Sequence, residues 1–264
     1  MTIANVPIVN AGLIYVNGLI LSADVMAFPK SVTLSSGAAR DTNNINDIIT
    51  LDQDTVINGA VVGPNGVDTL PIIANAFYGV YVIGDSTKNQ PTAGLLSPAT
   101  FFSASIPPFL PVGYDMFRRV GWVLTDSSAN ILQFWQYGTD QTRSYWYDVP
   151  INALTAGNST TPSILSLATS VPPIDTEVTF QVTFSANLAT DIARFLTVGA
   201  NTPSSIIATF GYGISSSVSG APQQGMLIVP SHIDPSNGQS SILWEVSAGG
   251  DSLSLKTIGY KDYL

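Results

Sequence analysis

The stretch Val178-Thr179-Phe180-Gln181-Val182-Thr183-Phe184 alternates apolar and polar residues without a break. A period of two puts all four apolar side chains on one side of an extended chain, which is the pattern of a half-buried β-strand. Those four are β-branched or aromatic, the types that pack well on a pleated surface.

Similar short runs recur outward from this segment, at residues 77–83, 118–125, 131–137, 144–149, 163–167, 194–198, 205–212 and 225–229. Residues 189–195 also suit one short helical turn, and periodicity over so few residues does not separate the two readings. Only two of the 18 acidic residues are Glu, and Lys is scarce, so the usual surface of a long amphipathic helix is missing. The chain is predicted to be all-β.

Four Asn-Gly pairs punctuate it, at Asn17-Gly18, Asn58-Gly59, Asn65-Gly66 and Asn237-Gly238. Asn-Gly supplies the positive φ values of a type I′ turn, so hairpins are expected around the first two, with arms 13–16/19–22 and 55–57/60–62. A further hairpin is expected about Gly249-Gly250-Asp251. From Ser144 onward the candidate strands suit a β-sandwich or jelly roll. The expected division is a small N-terminal attachment segment and β module over 1–140, then a β-sandwich/jelly-roll-like domain over 141–264.

The chain has 264 residues, of which 45% are hydrophobic and 10% charged, with a net charge of −9. That balance describes a folded chain, and its sign argues against nucleic acid as a partner. No cysteine is present, which excludes disulfides, thiolate metal sites and thiol nucleophiles, and the single histidine excludes multi-histidine sites. The apolar stretch 12–28 is interrupted by Asn17, Gly18 and Asp24, so no membrane insertion is expected. The first basic residue is Lys30, so no secretion signal is expected and the chain reads as made in the cytoplasm.

Three segments are distinctive. Phe77-Tyr78-Gly79-Val80-Tyr81-Val82-Ile83-Gly84-Asp85 is followed by Leu110-Pro111-Val112-Gly113-Tyr114 running into Arg118-Arg119-Val120-Gly121 and Thr125-Asp126. Then comes Asn130-Ile131-Leu132-Gln133-Phe134-Trp135-Gln136-Tyr137-Gly138. The series LPxGYxxxRRVGxxxTD and NILxFxQxG resembles a module of tailed-bacteriophage virion structural proteins, found in head-fibre-like, tail-fibre-like and decoration-like particle components. Residues 37–48 and 63–68 are similar to its usual upstream partner, and the resemblance covers roughly residues 13–150.

The resemblance implies a non-enzymatic particle protein that works as a symmetric homo-oligomer, a homotrimer by analogy, against other phage virion proteins of the capsid or tail. It places the chain in the virion and carries no catalytic residue, no cofactor and no metal. Low charge agrees, because obligate interfaces are depleted of charged residues. The stretch 1–28, whose one charged side chain is Asp24, is the expected attachment surface, dispensable for folding of the C-terminal domain. A receptor- or polysaccharide-binding module of a fibre or spike, contacting a host surface glycan, is the alternative.

Candidate contacts lie in the aromatic cluster Phe134, Trp135, Tyr137, Tyr145, Trp146 and Tyr147. If residues 138–143 form a loop, the rings divide between the two faces of a hairpin. One set is core, and the other is a subunit seam or a platform for a sugar ring. Trp135, Tyr137, Tyr145 and Trp146 are the residues assigned to that contact.

Other groups read as structural. Alternation puts Arg118 and Arg119 on opposite faces, one exposed and one paired with an acid such as Asp115 or Asp126. Asp41, Asp47, Asp52 and Asp54 among Asn43, Asn44 and Asn46 suit Asx turns better than a cation loop. His232, within Ser231-His232-Ile233-Asp234, reads as a turn residue and not as part of a triad. Glu177 and Glu245, or some Asp pair, could serve as the two carboxylates of a glycosidase, but nothing in the sequence brings any particular pair to the required separation.

Overall fold

The structure is a computed structural model describing residues 15–23, 29–43, 47–69, 71–98, 109–139, 141–198, 212–216 and 218–264. The described residues form strands, turns and no helix, so none offers a helix long and apolar enough to cross a membrane. The fold is all-β.

In chain order the first strands are Val16–Gly18 (β1), Leu21–Ala23 (β2), Ser31–Leu34 (β3), Gly37–Arg40 (β4), Ile48–Leu51 (β5), Thr55–Asn58 (β6) and Gly66–Val67 (β7). Phe77–Gly84 (β8), Ala93–Pro98 (β9), Met116–Leu124 (β10), Phe134–Thr139 (β11) and Thr142–Gly157 (β12) follow. The last are Ser163–Ser166 (β13), Thr176–Ser185 (β14), Ile192–Thr197 (β15), Tyr212–Ser215 (β16), Pro222–Asp234 (β17), Gln239–Val246 (β18) and Ser252–Tyr263 (β19).

The alternating stretch is β14, and it sits at the centre of the C-terminal lobe. Val178, Phe180, Val182 and Phe184 are all buried, while Thr179, Gln181 and Thr183 face outward. Each buried side chain of this size contributes about 1.5–3 kcal/mol relative to exposure. The strands order as β12-β19-β14-β17 in one layer and β13-β18-β15-β16 in the other. Between the layers, the four β14 residues pack with Leu253 and Leu255 of β19, Phe195 of β15, and Ile242 and Val246 of β18. β17 passes from layer to layer: residues 222–231 pair with β14, and His232 to Asp234 pair with β18.

The first layer does not stop at β12. It continues through β11, β2, β3 and β6, so one long sheet runs under both lobes. Over its N-terminal half lie the sheets β10-β8-β9-β7 and β1-β4-β5. Leu21, Leu34, Ile57 and Phe134 of the long sheet meet Val80, Val82, Val120 and Trp122 there. All eight residues of β8 are buried, because its far face packs a further small core of Tyr81, Ile83, Leu95 and Phe117. The division expected at 138–141 falls on the tip of the β11–β12 hairpin. The two large cores instead divide along β12, with Tyr145, Tyr147 and Ile151 serving the first and Ala153 and Leu154 the second.

Several expected hairpins are corrected. β1 pairs with β4 and β2 with β3, so Asn17-Gly18 bends the chain from one sheet into another instead of joining two paired arms. The positive φ values there fall on Gly18 (67°) and Leu19 (55°), and Leu19 is fully buried. β6 pairs with β3, not with residues 60–62. Gly249-Gly250-Asp251 links β18 to β19 across the layers, and these strands do not pair. Asn237-Gly238 does close a hairpin, with Asp234 opposite Gln239. Burial of Val16, Leu19, Leu21 and Ala23 makes residues 15–23 part of the first core, so this portion of the expected attachment stretch is built into the N-terminal lobe. Residues 1–14 and 24–28 lie outside the described residues, as does most of the strand expected at 205–212. The strand β15 replaces the helical turn considered over 189–195.

Candidate functional site: the outer face of the long sheet

Paired residues share a face, so the register defines a transverse row on the solvent side of the long sheet. It runs Val56, Thr33, Ser22, Trp135, Trp146, Gly259, Thr179 and Ile228 across eight strands. Trp135 is 53% exposed, Trp146 is half-buried, and Val56 and Ile228 are exposed. Gly259 has no room for a Cβ, which would collide with the backbone oxygen of Tyr145, so the row dips between Trp146 and Thr179.

A neighbouring row holds Tyr137, Ser144 and Lys261, with Tyr137 also 53% exposed. Lys261 Nζ donates to Glu177 Oε2 at 2.6 Å, and that hydrogen bond raises the lysine above its ordinary value. Exposed Tyr263 and Met226 extend the apolar surface on either side.

The structure therefore brings Trp135, Tyr137 and Trp146 together on one open face. Tyr145 is corrected: it points to the opposite side and is 2% exposed, because alternation from Trp146 puts it in the first core. Its ring stacks on Tyr260 at 4.7 Å between centroids. Its Oη accepts from the Trp122 N–H (3.1 Å) and meets Gln136 Nε2 at 2.5 Å. Burial pushes its phenol far above the ordinary value, with the Asp262 charge adding to the effect.

Beside it lies a buried ion pair, Arg119 Nη1 to Asp262 Oδ2 at 2.6 Å, with the Arg119 guanidinium 5.0 Å from the centre of the Trp122 ring. Burial alone would lower Arg119, but the facing carboxylate holds it above its ordinary value. The acid expected to pair with this arginine was Asp115 or Asp126. Asp115 instead accepts from Ser86, and Asp126 from the Ser128 and Asn130 N–H groups of its own turn. The true partner is 143 residues away, and no local signal in the sequence reports it.

The remaining candidates are scattered. Asp41 accepts from the Phe117 N–H and Asp54 from the Ser36 N–H, and Asn44 and Asn46 lie outside the described residues. Among the described residues no three His, Asp or Glu side chains gather as metal ligands would. His232 is a residue of β17, not of the turn, and its Nδ1 lies 3.2 Å from Asp175, not beside Asp234. Asp234 caps the turn by accepting from the Ser236 N–H. Glu177 projects from the outer face of the first layer. Glu245 alternates with the core residues Trp244 and Val246 on the second layer, so the sandwich separates the two carboxylates.

No protein-family model, no curated protein and no solved structure matches the chain.

Proposed function

We propose that the chain is a non-enzymatic structural protein of a tailed-bacteriophage virion, assembling as a symmetric homo-oligomer on the head or tail. The observation that carries this reading is the outer face, where Trp135, Tyr137, Met226, Ile228 and Tyr263 stand open to solvent around the Lys261–Glu177 pair and Lys256. Several large apolar side chains left open on one face mark an interaction site, and aromatic and Met side chains are enriched where proteins meet.

The residues that resemble the virion module support the same reading, because their roles are structural. Arg119 holds Asp262, Thr125 Oγ1 donates to the Ile73 carbonyl, and a Cβ on Gly121 would displace the Tyr145 hydroxyl. The strand orders β12-β19-β14-β17 and β13-β18-β15-β16 fit a jelly-roll reading of the C-terminal lobe, an architecture of viral capsid and lectin domains, which supports the proposal by analogy of fold alone.

Light scattering of the purified protein is expected to give a multiple of 27.8 kDa, a trimer by analogy. A stable monomer at micromolar concentration that also fails to associate with purified virions would overturn the proposal. The second reading, a receptor- or polysaccharide-binding module, is favoured by Trp135, Tyr137 and Trp146 flanking a shallow dip. Saturable binding of host polysaccharide by the full chain, lost in Trp135→Ala and without release of reducing ends, would select it.

A further inference from the structure

A second concave feature lies where the lobes meet, away from the outer face. A cleft of about 220 Å³ opens between Asn75 and Phe77 of the first lobe and Val171, Pro173 and Gln239 of the second. It shares Asn75 with a larger cleft of about 440 Å³, walled by Leu124, Asp126, Leu132, Ile151, Asn152 and Thr169. The larger volume is within the usual range of small-molecule sites, roughly 300–1,000 Å³, and junctions between lobes are where such sites concentrate.

The lining has a definite chemistry. Asp126 is the one ionisable residue of the lining, and the exposed Lys256 stands opposite Asn152 on the neighbouring strand. Burial works against the charged form of Asp126, but the Asn130 and Ser128 N–H bonds outweigh it and hold the carboxyl below its ordinary value, so it is an anion at neutral pH. Its Oδ1 takes both N–H groups, while the nearest donor to Oδ2 is Asn130 Nδ2 at 3.4 Å, so Oδ2 keeps room for a further donor. Asn75, Asn152, Ser127 and Thr169 are exposed, and their side chains make no hydrogen bond to any described residue, which leaves them to solvent or a ligand. Asn75 is held in place with a φ of 52° by its N–H bond to the Asp126 carbonyl. Half-buried Leu132, Ile151 and Pro173 supply apolar patches between these polar groups.

We propose that this junction binds a neutral saccharide of one or two rings. Free amides and hydroxyls act as donor and acceptor together, which suits a ligand whose own hydroxyls do both. The Asp126 carboxylate accepts from sugar hydroxyls and repels acidic sugars and phosphates placed against it. The aliphatic patches suit the C–H faces of a sugar ring. The site borders the outer face at Asn152, whose row runs through Lys256 and Gln181 to Met226, and its occupation does not depend on the particle reading.

Saturation-transfer NMR on the full chain with cellobiose, lactose and chitobiose, and with sialyllactose as the acidic counterpart, tests it. At least one neutral disaccharide is expected to bind saturably and more tightly than sialyllactose. Asn75→Gly, which keeps the positive φ, and Asn152→Ala are each expected to weaken that binding about five- to tenfold, the loss of about one hydrogen bond. Trp135→Ala is expected to leave it unchanged. No saturable binding of any neutral disaccharide, binding indifferent to both cleft variants, or loss in Trp135→Ala instead would overturn the proposal. The last of these would assign the sugar to the outer face.

Discussion

The two faces of the β11–β12 hairpin carry the same kind of side chain to opposite ends. On the inner face Phe134, Tyr145 and Tyr147 are buried, and their rings pack with Tyr260. The Tyr145 and Tyr147 hydroxyls both have partners, Tyr145 Oη accepting from the Trp122 N–H and Tyr147 Oη donating to the Ser170 carbonyl. On the outer face Trp135, Tyr137 and Trp146 present comparable apolar area with nothing packed over the first two. Aromatic content therefore does not tell interior from surface in this molecule. The inner face is closed by its own chain, and the outer face is complete as a fold yet unfinished as a surface.

The strongest way to break that comparison is at the inner face. Asp262→Ala removes the partner of a buried guanidinium and is expected to cost about 3–5 kcal/mol, read by urea denaturation. Replacing both members, as Arg119→Met with Asp262→Leu, is expected to recover most of that loss, because no charge is then stranded. A double variant no more stable than Asp262→Ala would show that the pair holds the lobes together through more than charge satisfaction.

Alkali probes the same face without mutation. Burial raises Tyr145, Tyr147 and Tyr260 in the folded chain above the ordinary value of 10.0. Their folded values exceed their unfolded ones, so the stability they contribute is fully present below about pH 10. It is lost as pH rises above that, when the unfolded chain ionises first. At pH 10.5 the three together are expected to remove about 2.5 kcal/mol relative to pH 8. Native phenolate absorbance appearing near pH 10 from these three rings would mean that the inner face is open to water.

The same contrast explains what the sequence could reveal. β14 was legible because strict alternation reports burial directly, and the layers of the C-terminal lobe follow from runs of that kind. The N-terminal lobe was less legible because its pairing is non-local. Asn17-Gly18 does turn the chain, but burial of Val16 and Leu21 in different sheets decides which strands they meet. At β11 and β12 hydropathy points the wrong way. The inner face includes buried Gln136 and Arg143, while the outer face has the exposed Trp135 and Tyr137. Gln136 is buried because its Oε1 accepts from the Leu21 N–H, and Arg143 because it donates to the Gly18 carbonyl. Both partners lie more than a hundred residues away. A division of six rings between two faces was readable, but which set points outward was not.

The smallest effect on stability is expected on the outer face, and it is the one that bears on function. Trp135 is already half in water, and its neighbours in the row are Ser22 and Trp146, so Trp135→Ser forfeits only the part of the ring that the sheet covers. The expected cost is at most about 1 kcal/mol, with the denaturation midpoint shifted slightly and the slope unchanged. If the face is a subunit seam, the same substitution removes a large aromatic contact from every copy in the oligomer, where such residues dominate binding. Light scattering at micromolar concentration should then show smaller species for Trp135→Ser and Tyr137→Ser while their melting curves stay near that of the parent chain. A loss of stability as large as that of Asp262→Ala would place Trp135 in the fold's own core and erase the distinction between the faces. Unchanged assembly in both variants would move the seam to another surface of the molecule.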